Sequence, residues 1–327
     1  MKIAYLILAH KNPRLIAKTI KALSSEDSVF FVHIDSKSNL DEFLLFEAEN
    51  VLFLEERVPV YWGEYSMVQA ILILIQHALT ASKGGEYCVL LSGSDYPLRS
   101  KEYISRFFDQ WRGTEFISLA AIPNAEAGLP LSKINTICIP SDQPVLRFLA
   151  KASGKLGLAR RDYKKYLQNL QPYGGSTWWA LSRSACQYIL DFAKDNTFFC
   201  EFFAKTHTSD ETFFHTILGN SHFKQNIRRC LMYDDWSNGP LHPTMLNSSH
   251  LDFFEAHPEV TLDDAFGPGE LLFARKFSDC TLDLLNRLDE IIKAKGCKIT
   301  HVELQRQAVR RRGNDRAASI DDTYRNG

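Results

Sequence analysis

No Asp-x-Asp occurs anywhere in the 327 residues, so the paired carboxylates that commonly hold a divalent ion against a diphosphate are missing. The adjacent pairs Asp234–Asp235, Asp263–Asp264 and Asp321–Asp322 lack that spacing. No GxGxxG follows the first hydrophobic run and no GxxxxGKS/T is present, which argues against dinucleotide and P-loop sites. No stretch reaches the roughly twenty uninterrupted apolar residues of a membrane span, and the opening run Ile3 to Ala9 is too short for a secretory core. Seven scattered cysteines include no CxxC pair, which favours a reducing compartment. The expected location is therefore the cytoplasm, with at most peripheral contact at the inner face of a membrane. A formal net charge of −1 supplies no global attraction to nucleic acid or an anionic surface, so nucleic acid is not an expected partner.

What is present suffices for a large core: hydrophobic residues make up 45% of the chain. Ile3 to Leu8 reads as a strand and Pro13 to Leu23 as a helix, with Asn12 as its N-cap and Pro13 at the first helical position. Val29 to Ile34 and Val51 to Leu54 read as further strands, and Ser66 to Ser82 as a helix buried over most of its surface. Tyr87 to Leu91 is a strand that opens into Ser-Gly-Ser-Asp-Tyr-Pro. Alternating strands and helices predict an α/β fold with a doubly wound, mostly parallel sheet flanked by helices, whose ligands bind beyond the carboxyl ends of the strands. A strand over Trp178 to Leu181 and helices over Ser184 to Ala193, Glu211 to Leu218 and Leu282 to Lys295 follow. Between them, Arg147, Lys151, Lys155, Arg160, Arg161, Lys164 and Lys165 make a basic stretch, read either as a solvated helical face or as a contact for an acceptor or membrane surface. Residues 1–297 read as one domain and 298–327 as a polar, partly flexible tail.

Several residues suit chemistry. Arg275 and Lys276 stand together in an apolar frame; the arginine offers a planar fork to phosphate oxygens and the lysine a compact charge, although such a pair is more often solvated surface. Asp210 and Glu211 stand at an apparent helix N-terminus, where acidic residues commonly cap. Of the two, Asp210 is better placed for capping and Glu211 for reaching inward as a general base. Asp35 closes the second strand, where it fits a strand-end turn as well as a bond from a uracil N–H or ribose hydroxyl. His10 follows the first strand, beside the same crevice. Trp62, Trp178, Trp179 and Trp236 form an unusual set whose faces suit sugar rings, with core burial the default for any one of them.

Eight pieces then occur in order: AHKNP (9–13), VHIDSKS (32–38), VYWGEYSMVQA (60–70), LLSGSDYPL (90–98), GGSTWWALSR (174–183), TSDETFFHTIL (208–218), DDWSNGPLHP (234–243) and LFARKF (272–277). Together they resemble the core-2/I-branching β-1,6-N-acetylglucosaminyltransferase and peptide O-xylosyltransferase family, over about Lys2 to Leu285. LSGSDYPL and LFARKF in that order are the specific signal. The resemblance implies a GT-A-like, Rossmann-like nucleotide-sugar-binding fold, a glycosyltransferase domain over 1–297, inversion at the anomeric carbon, and no metal or other cofactor, in agreement with the missing Asp-x-Asp. It implies Glu211 as catalytic base, Arg275 and Lys276 as diphosphate contacts and Asp35 as nucleoside contact. His10, Gly93, Ser94 and Asp95 would line the same nucleotide side, with Trp178 near the donor sugar and acceptor. The donor implied is UDP-xylose or UDP-N-acetylglucosamine, and the acceptor a hydroxyl of a glycan, lipid-linked glycan or polypeptide, in surface polysaccharide biosynthesis. The anchor, stem and disulfide framework of the family's luminal members are not expected here, so a luminal location is not carried over. Ser209 stands where many members have proline, and Thr177 where others have different polar residues. Two readings of another class remain: a carbohydrate-binding protein, or a glycoside hydrolase with Asp95 or Asp235 as second carboxylate. Affinity for UDP separates both from a transferase.

Overall fold

The computed structural model describes residues 1–44, 48–82, 84–138, 141, 160–239 and 242–296. The polar tail expected over 298–327, and Arg147, Lys151 and Lys155 of the basic stretch, lie outside the described residues. The chain divides into two compact units, one formed by Met1–Leu246 with Glu259–Leu282 and the other by Asn247–Pro258 with Asp283–Gly327.

In the first unit, seven strands among the described residues make one sheet. They are β1 (Ile3–Ala9), β2 (Ser28–Ile34), β3 (Val51–Phe53), β4 (Tyr87–Ser92), β6 (Glu115–Phe116), β7 (Ala180–Ser182) and β8 (Ile227–Arg228), in the order β8-β6-β7-β4-β1-β2-β3. Strands β4, β1, β2 and β3 are parallel, and β7 runs antiparallel to β4 and β6. All seven residues of β1 and all seven of β2 are buried, and because both sheet faces are covered β1 is a continuous hydrophobic run and Val29 to Val32 of β2 another. Helix α1 (Pro13–Leu23) buries Leu15, Ile16, Thr19, Ile20 and Leu23 at helical spacing. Helix α2 (Tyr65–Thr80) buries Val68, Ala70, Ile71, Leu74, Ile75, Ala78 and Leu79, while Met67, Leu72 and Ile73 pack partly buried against the same core. This is the α/β fold with a mostly parallel, helix-flanked sheet that the alternating pattern predicts.

A smaller sheet extends the site side. Strand β5 (Asp95–Pro97) begins just after β4 ends and pairs antiparallel with β10 (Phe273–Arg275), which in turn pairs parallel with β9 (Met232–Asp234). The second unit holds helix Ser248–Ala256, capped by Asn247, and the helix over 282–296. There Arg287 pairs with Asp252 and Glu255, exposed contacts of modest worth.

Four local expectations are corrected. Asn12 occupies the N-cap position of α1 with φ 62°, and its side chain makes no cap bond. Turned away by that left-handed backbone, its Nδ2 donates instead to Gly93 O at 3.1 Å and Ser94 Oγ at 3.2 Å. The first turn is capped from afar by Asp279, whose Oδ1 accepts from Leu15 N at 2.7 Å. The strand expected at Trp178 begins at Ala180, and the helix expected from Glu211 is a 3₁₀ turn, Ser209–Glu211, broken at Thr212 before helix Phe213–Gly219. Arg161 is no solvated base. Its guanidinium lies 3.7 Å from the Phe202 ring centroid and donates to Ile134 O and Phe202 O, and burial lowers its pKa to about 10.

Because Asp279 supplies the cap that Asn12 does not, Asp279→Ala should lower stability by about 1 kcal/mol. A shift of the urea midpoint, with an unchanged m-value, checks this; the same loss in Asn12→Ala with none in Asp279→Ala would reverse the assignment.

Candidate active site

Parallel pairing sets three loops side by side. Ala9 lies opposite Ile34 and Leu8 opposite Ser92, so His10, Asp35 and Gly93 all emerge at the carboxyl edge of the sheet. Asp35 is buried and its carboxylate accepts from Lys37 N at 2.9 Å, Lys37 Nζ at 2.6 Å and Val60 N at 3.3 Å. His10 has its pKa lowered by burial and then by Lys11, with Lys37 and Lys276 adding to the effect and Asp35 opposing it. At Gly93 an added Cβ would stand 2.9 Å from Ala9 Cβ and 3.1 Å from Lys11 O, so the loop passes too close to the first strand for a side chain.

Asp95 is fully buried. It folds back on the strand end, accepting from Ser92 N at 2.6 Å and Ser92 Oγ at 2.7 Å, and its Oδ1 lies 3.5 Å from Arg275 Nε. Burial raises its pKa, and Arg275 is the largest opposing influence. The β5–β10 register places Arg275 directly across from Asp95. The guanidinium carbon lies 4.2 Å from the Trp178 ring centroid. Arg275 is 9% exposed, and its buried Nε has no aligned hydrogen bond among the described residues. Lys276 follows, half-buried, with its pKa lowered by burial, then by Arg275 and Lys11. Like charges are thus held near one another, the electrostatic condition for an anion site.

On the other side of Trp178, the segment from Gly174 threads past Ser118 so closely that a Cβ on Gly175 would lie 1.8 Å from Ser118 O. Gly175 N donates to Glu211 O at 3.0 Å, and Thr177 Oγ1 donates to Asp210 Oδ2 at 2.6 Å. Asp210 therefore does not cap the following helix. It is the buried member of the acidic pair, and burial, with Glu211 next, raises its pKa to about 6. Glu211, expected to reach inward, has a side chain 32% exposed and forms an ion pair through Oε2 with Lys133 Nζ. The 3₁₀ turn explains the exchange: its tighter winding points Asp210 to the core and Glu211 to the surface.

The structure thus brings together Asp95, Arg275 and Trp178 in contact, with Ser94 bonded to Asn12 beside them, and sets His10, Asp35 and Lys276 within electrostatic reach of one another. Glu211 joins this group through the Gly175–Trp178 segment. Trp179 is buried as core, whereas Trp62 is 66% exposed, edge-on to the rings of His207 and His242, and Trp236 is 47% exposed. Lys133, Thr177 and Asp279 went unmarked as partners in the sequence. Lys133 lies 78 positions before Glu211, and no local spacing connects them. Among the described residues no three His, Cys, Asp or Glu side chains gather as a metal site, and no helix is long and apolar enough to cross a membrane.

The clustered cation pair and neighbouring carboxylate thus stand at the carboxyl ends of the strands, where ligands bind in open α/β sheets. Residues 3–256 match the Core-2/I-Branching enzyme family, and the chain belongs to it. It is 24% identical to xylosyltransferase 1 of Rattus norvegicus over 246 residues, covering 72% of this chain and 28% of that protein. It is likewise 24% identical to a xylosyltransferase of Ciona intestinalis over 228 residues, covering 68% of this chain and 25% of that one. The chain thus matches about a quarter of the length of these relatives. A mouse xyloside xylosyltransferase 1 structure aligns over 83% of this chain and 97% of its own, at 10% identity and a TM-score of 0.32. Membership and these sequence relatives support a glycosyltransferase.

His215, behind the acidic pair, gives a pH test. It is fully buried, its Nε2 is 3.0 Å from Ser176 O, and burial pushes its pKa down from 6.5 to about 3. The folded state therefore favours neutral histidine. Its contribution is complete above pH 6.5 and is lost as pH falls towards 3, by a few kcal/mol in order of magnitude. Asp210 acts oppositely over the narrower window between about 6 and 3.8, adding stability as pH falls. His215→Gln should flatten the acid side of a plot of urea midpoint against pH; an unchanged slope would remove His215 as its cause.

Proposed function

We propose that this protein transfers xylose or N-acetylglucosamine from a UDP-sugar to a hydroxyl of a glycan, lipid-linked glycan or polypeptide, with inversion and without a divalent metal. The observation that carries the proposal is Arg275, nearly buried, with Nε lacking an aligned partner, next to Lys276 at the carboxyl end of the sheet. Two fixed cations there offset the charge that develops on a departing diphosphate. The residues suit a single displacement. Glu211 takes the acceptor proton, the acceptor oxygen bonds to the anomeric carbon, and the bond from that carbon to the UDP oxygen breaks with its electron pair on UDP. Attack from the face opposite UDP inverts the centre. Asp35 and His10, at neighbouring strand ends, suit a nucleoside contact, and Trp178, against Arg275, suits the donor sugar. The family and the absent Asp-x-Asp support a metal-free site, and the exposed basic residues Lys164 and Lys165 suit an acceptor or membrane surface. A cytoplasmic role in building surface polysaccharide fits the same reading.

Calorimetric titration with UDP, UDP-xylose and UDP-N-acetylglucosamine in EDTA tests donor, metal and phosphate site together. Binding should persist in EDTA, and Lys276→Ala should weaken it about 10- to 100-fold, the loss of one charge-assisted contact. Folded protein that binds no UDP compound would overturn the proposal. Glu211→Gln should keep UDP affinity and lose transfer by at least about a hundredfold; near wild-type turnover would remove Glu211 as the base.

A further inference from the structure

Lys133 is the nearest cation to Glu211 that the structure reveals, and nothing in the motifs marks it. It sits on the short helix Ser132–Asn135, and its Nζ pairs with Glu211 Oε2 while also donating to Thr208 Oγ1 at 3.3 Å. The pair is partly buried, with the lysine side chain 21% exposed, so salt and water screen it less than a surface contact.

The fold builds the place where this lysine ends. Thr208 has φ 49°, a left-handed backbone unusual for a β-branched residue, and its N–H donates to Gly63 O at 2.8 Å. Gly63 itself has φ 72°, and a Cβ there would lie 2.5 Å from the His207 ring. Thr208 O in turn accepts from Glu211 N at 3.0 Å. Glu211 is thus held by its main chain from Thr208 and Gly175, and by its carboxylate from Lys133.

We propose that Lys133 is the positioning residue for Glu211, holding its carboxylate aimed at the acceptor. The inference rests on Glu211 being the base proposed above. Lys133 is the opposite charge in contact with Glu211, Asp210 the adjacent like charge, and His215 lies buried beyond them. By holding Oε2, Lys133 leaves Oε1 for the acceptor proton. It keeps its own proton throughout: one proton passes from acceptor to Glu211 and the electron pair leaves with UDP.

The test is the rate of UDP release from UDP-xylose and UDP-N-acetylglucosamine with water as acceptor, measured beside UDP affinity by calorimetry. Lys133→Met should lower UDP release about 10- to 100-fold, the cost of a misaimed group, with UDP affinity unchanged. Lys133→Gln, which keeps a hydrogen-bond donor without charge, should recover part of the rate, and Lys133→Arg most of it. Near wild-type release in Lys133→Met, or a loss that tracks a loss of UDP affinity, overturns the proposal while leaving Glu211 as base. UDP release retained in Glu211→Gln overturns the base itself, and Lys133 then holds a carboxylate without a part in transfer.

Discussion

Buried Asp95 ties the end of β4 in the larger sheet to Arg275 in the smaller one, and the crevice depends on it. Asp95 is fully buried, and its desolvation is offset by two bonds from Ser92 and by the guanidinium 3.5 Å away. Buried ion pairs gain little net stability over apolar residues of the same shape. Their consequence here is positional. By accepting from both Ser92 N and Ser92 Oγ, Asp95 bends the chain sharply off β4, and by facing Arg275 across the β5–β10 register it fixes a cation where the strands of the larger sheet end. Trp178 completes the placement by lying against the guanidinium.

Charge is separated along the Gly175–Trp178 segment, which meets Arg275 at Trp178 and the acidic pair at Gly175 and Thr177. Arg275, Lys276 and Lys11 cluster near Asp95, and the pKa of Lys276 is lowered first by burial and then by Arg275 and Lys11. Asp210 and Glu211 form the acidic pair, with Lys133 as local counter-charge. A displacement of the proposed kind is suited by this arrangement, because a diphosphate next to the acidic pair would be repelled.

How far the sequence revealed this follows from the range of each interaction. The limits of α1 and the identity of β1, β2 and β4 were legible because hydrophobic period and proline placement are local. The Arg275–Lys276 pair and the 93–95 loop were legible as motifs, yet their meeting depended on the pairing of β5 with β10, which joins residues some 180 positions apart (275 − 95). Asn12 misled for a definite reason: its residue type suits a cap, but its left-handed backbone turns the side chain to Gly93 and Ser94, and Asp279 supplies the cap. Asp210 and Glu211 exchanged their expected directions because the turn is 3₁₀ and not α, a difference that no propensity in Ser-Asp-Glu signals. Lys133 carried no signal at all.

The segment from Gly175 to Trp178 sets the scale of the site. Gly175 N holds the main chain of Glu211, and three residues later the Trp178 ring lies against Arg275. Three residues span at most roughly 10 Å, so the main-chain anchor of the base and that of the guanidinium platform cannot lie farther apart than that. The segment has little freedom to lengthen or swing, since Gly175 is wedged against Ser118 and Thr177 is bonded to buried Asp210. The spacing between the main chain of Glu211, the proposed base, and the tryptophan against Arg275 is therefore limited by packed main chain, which suits the preorganisation that the proposed displacement needs.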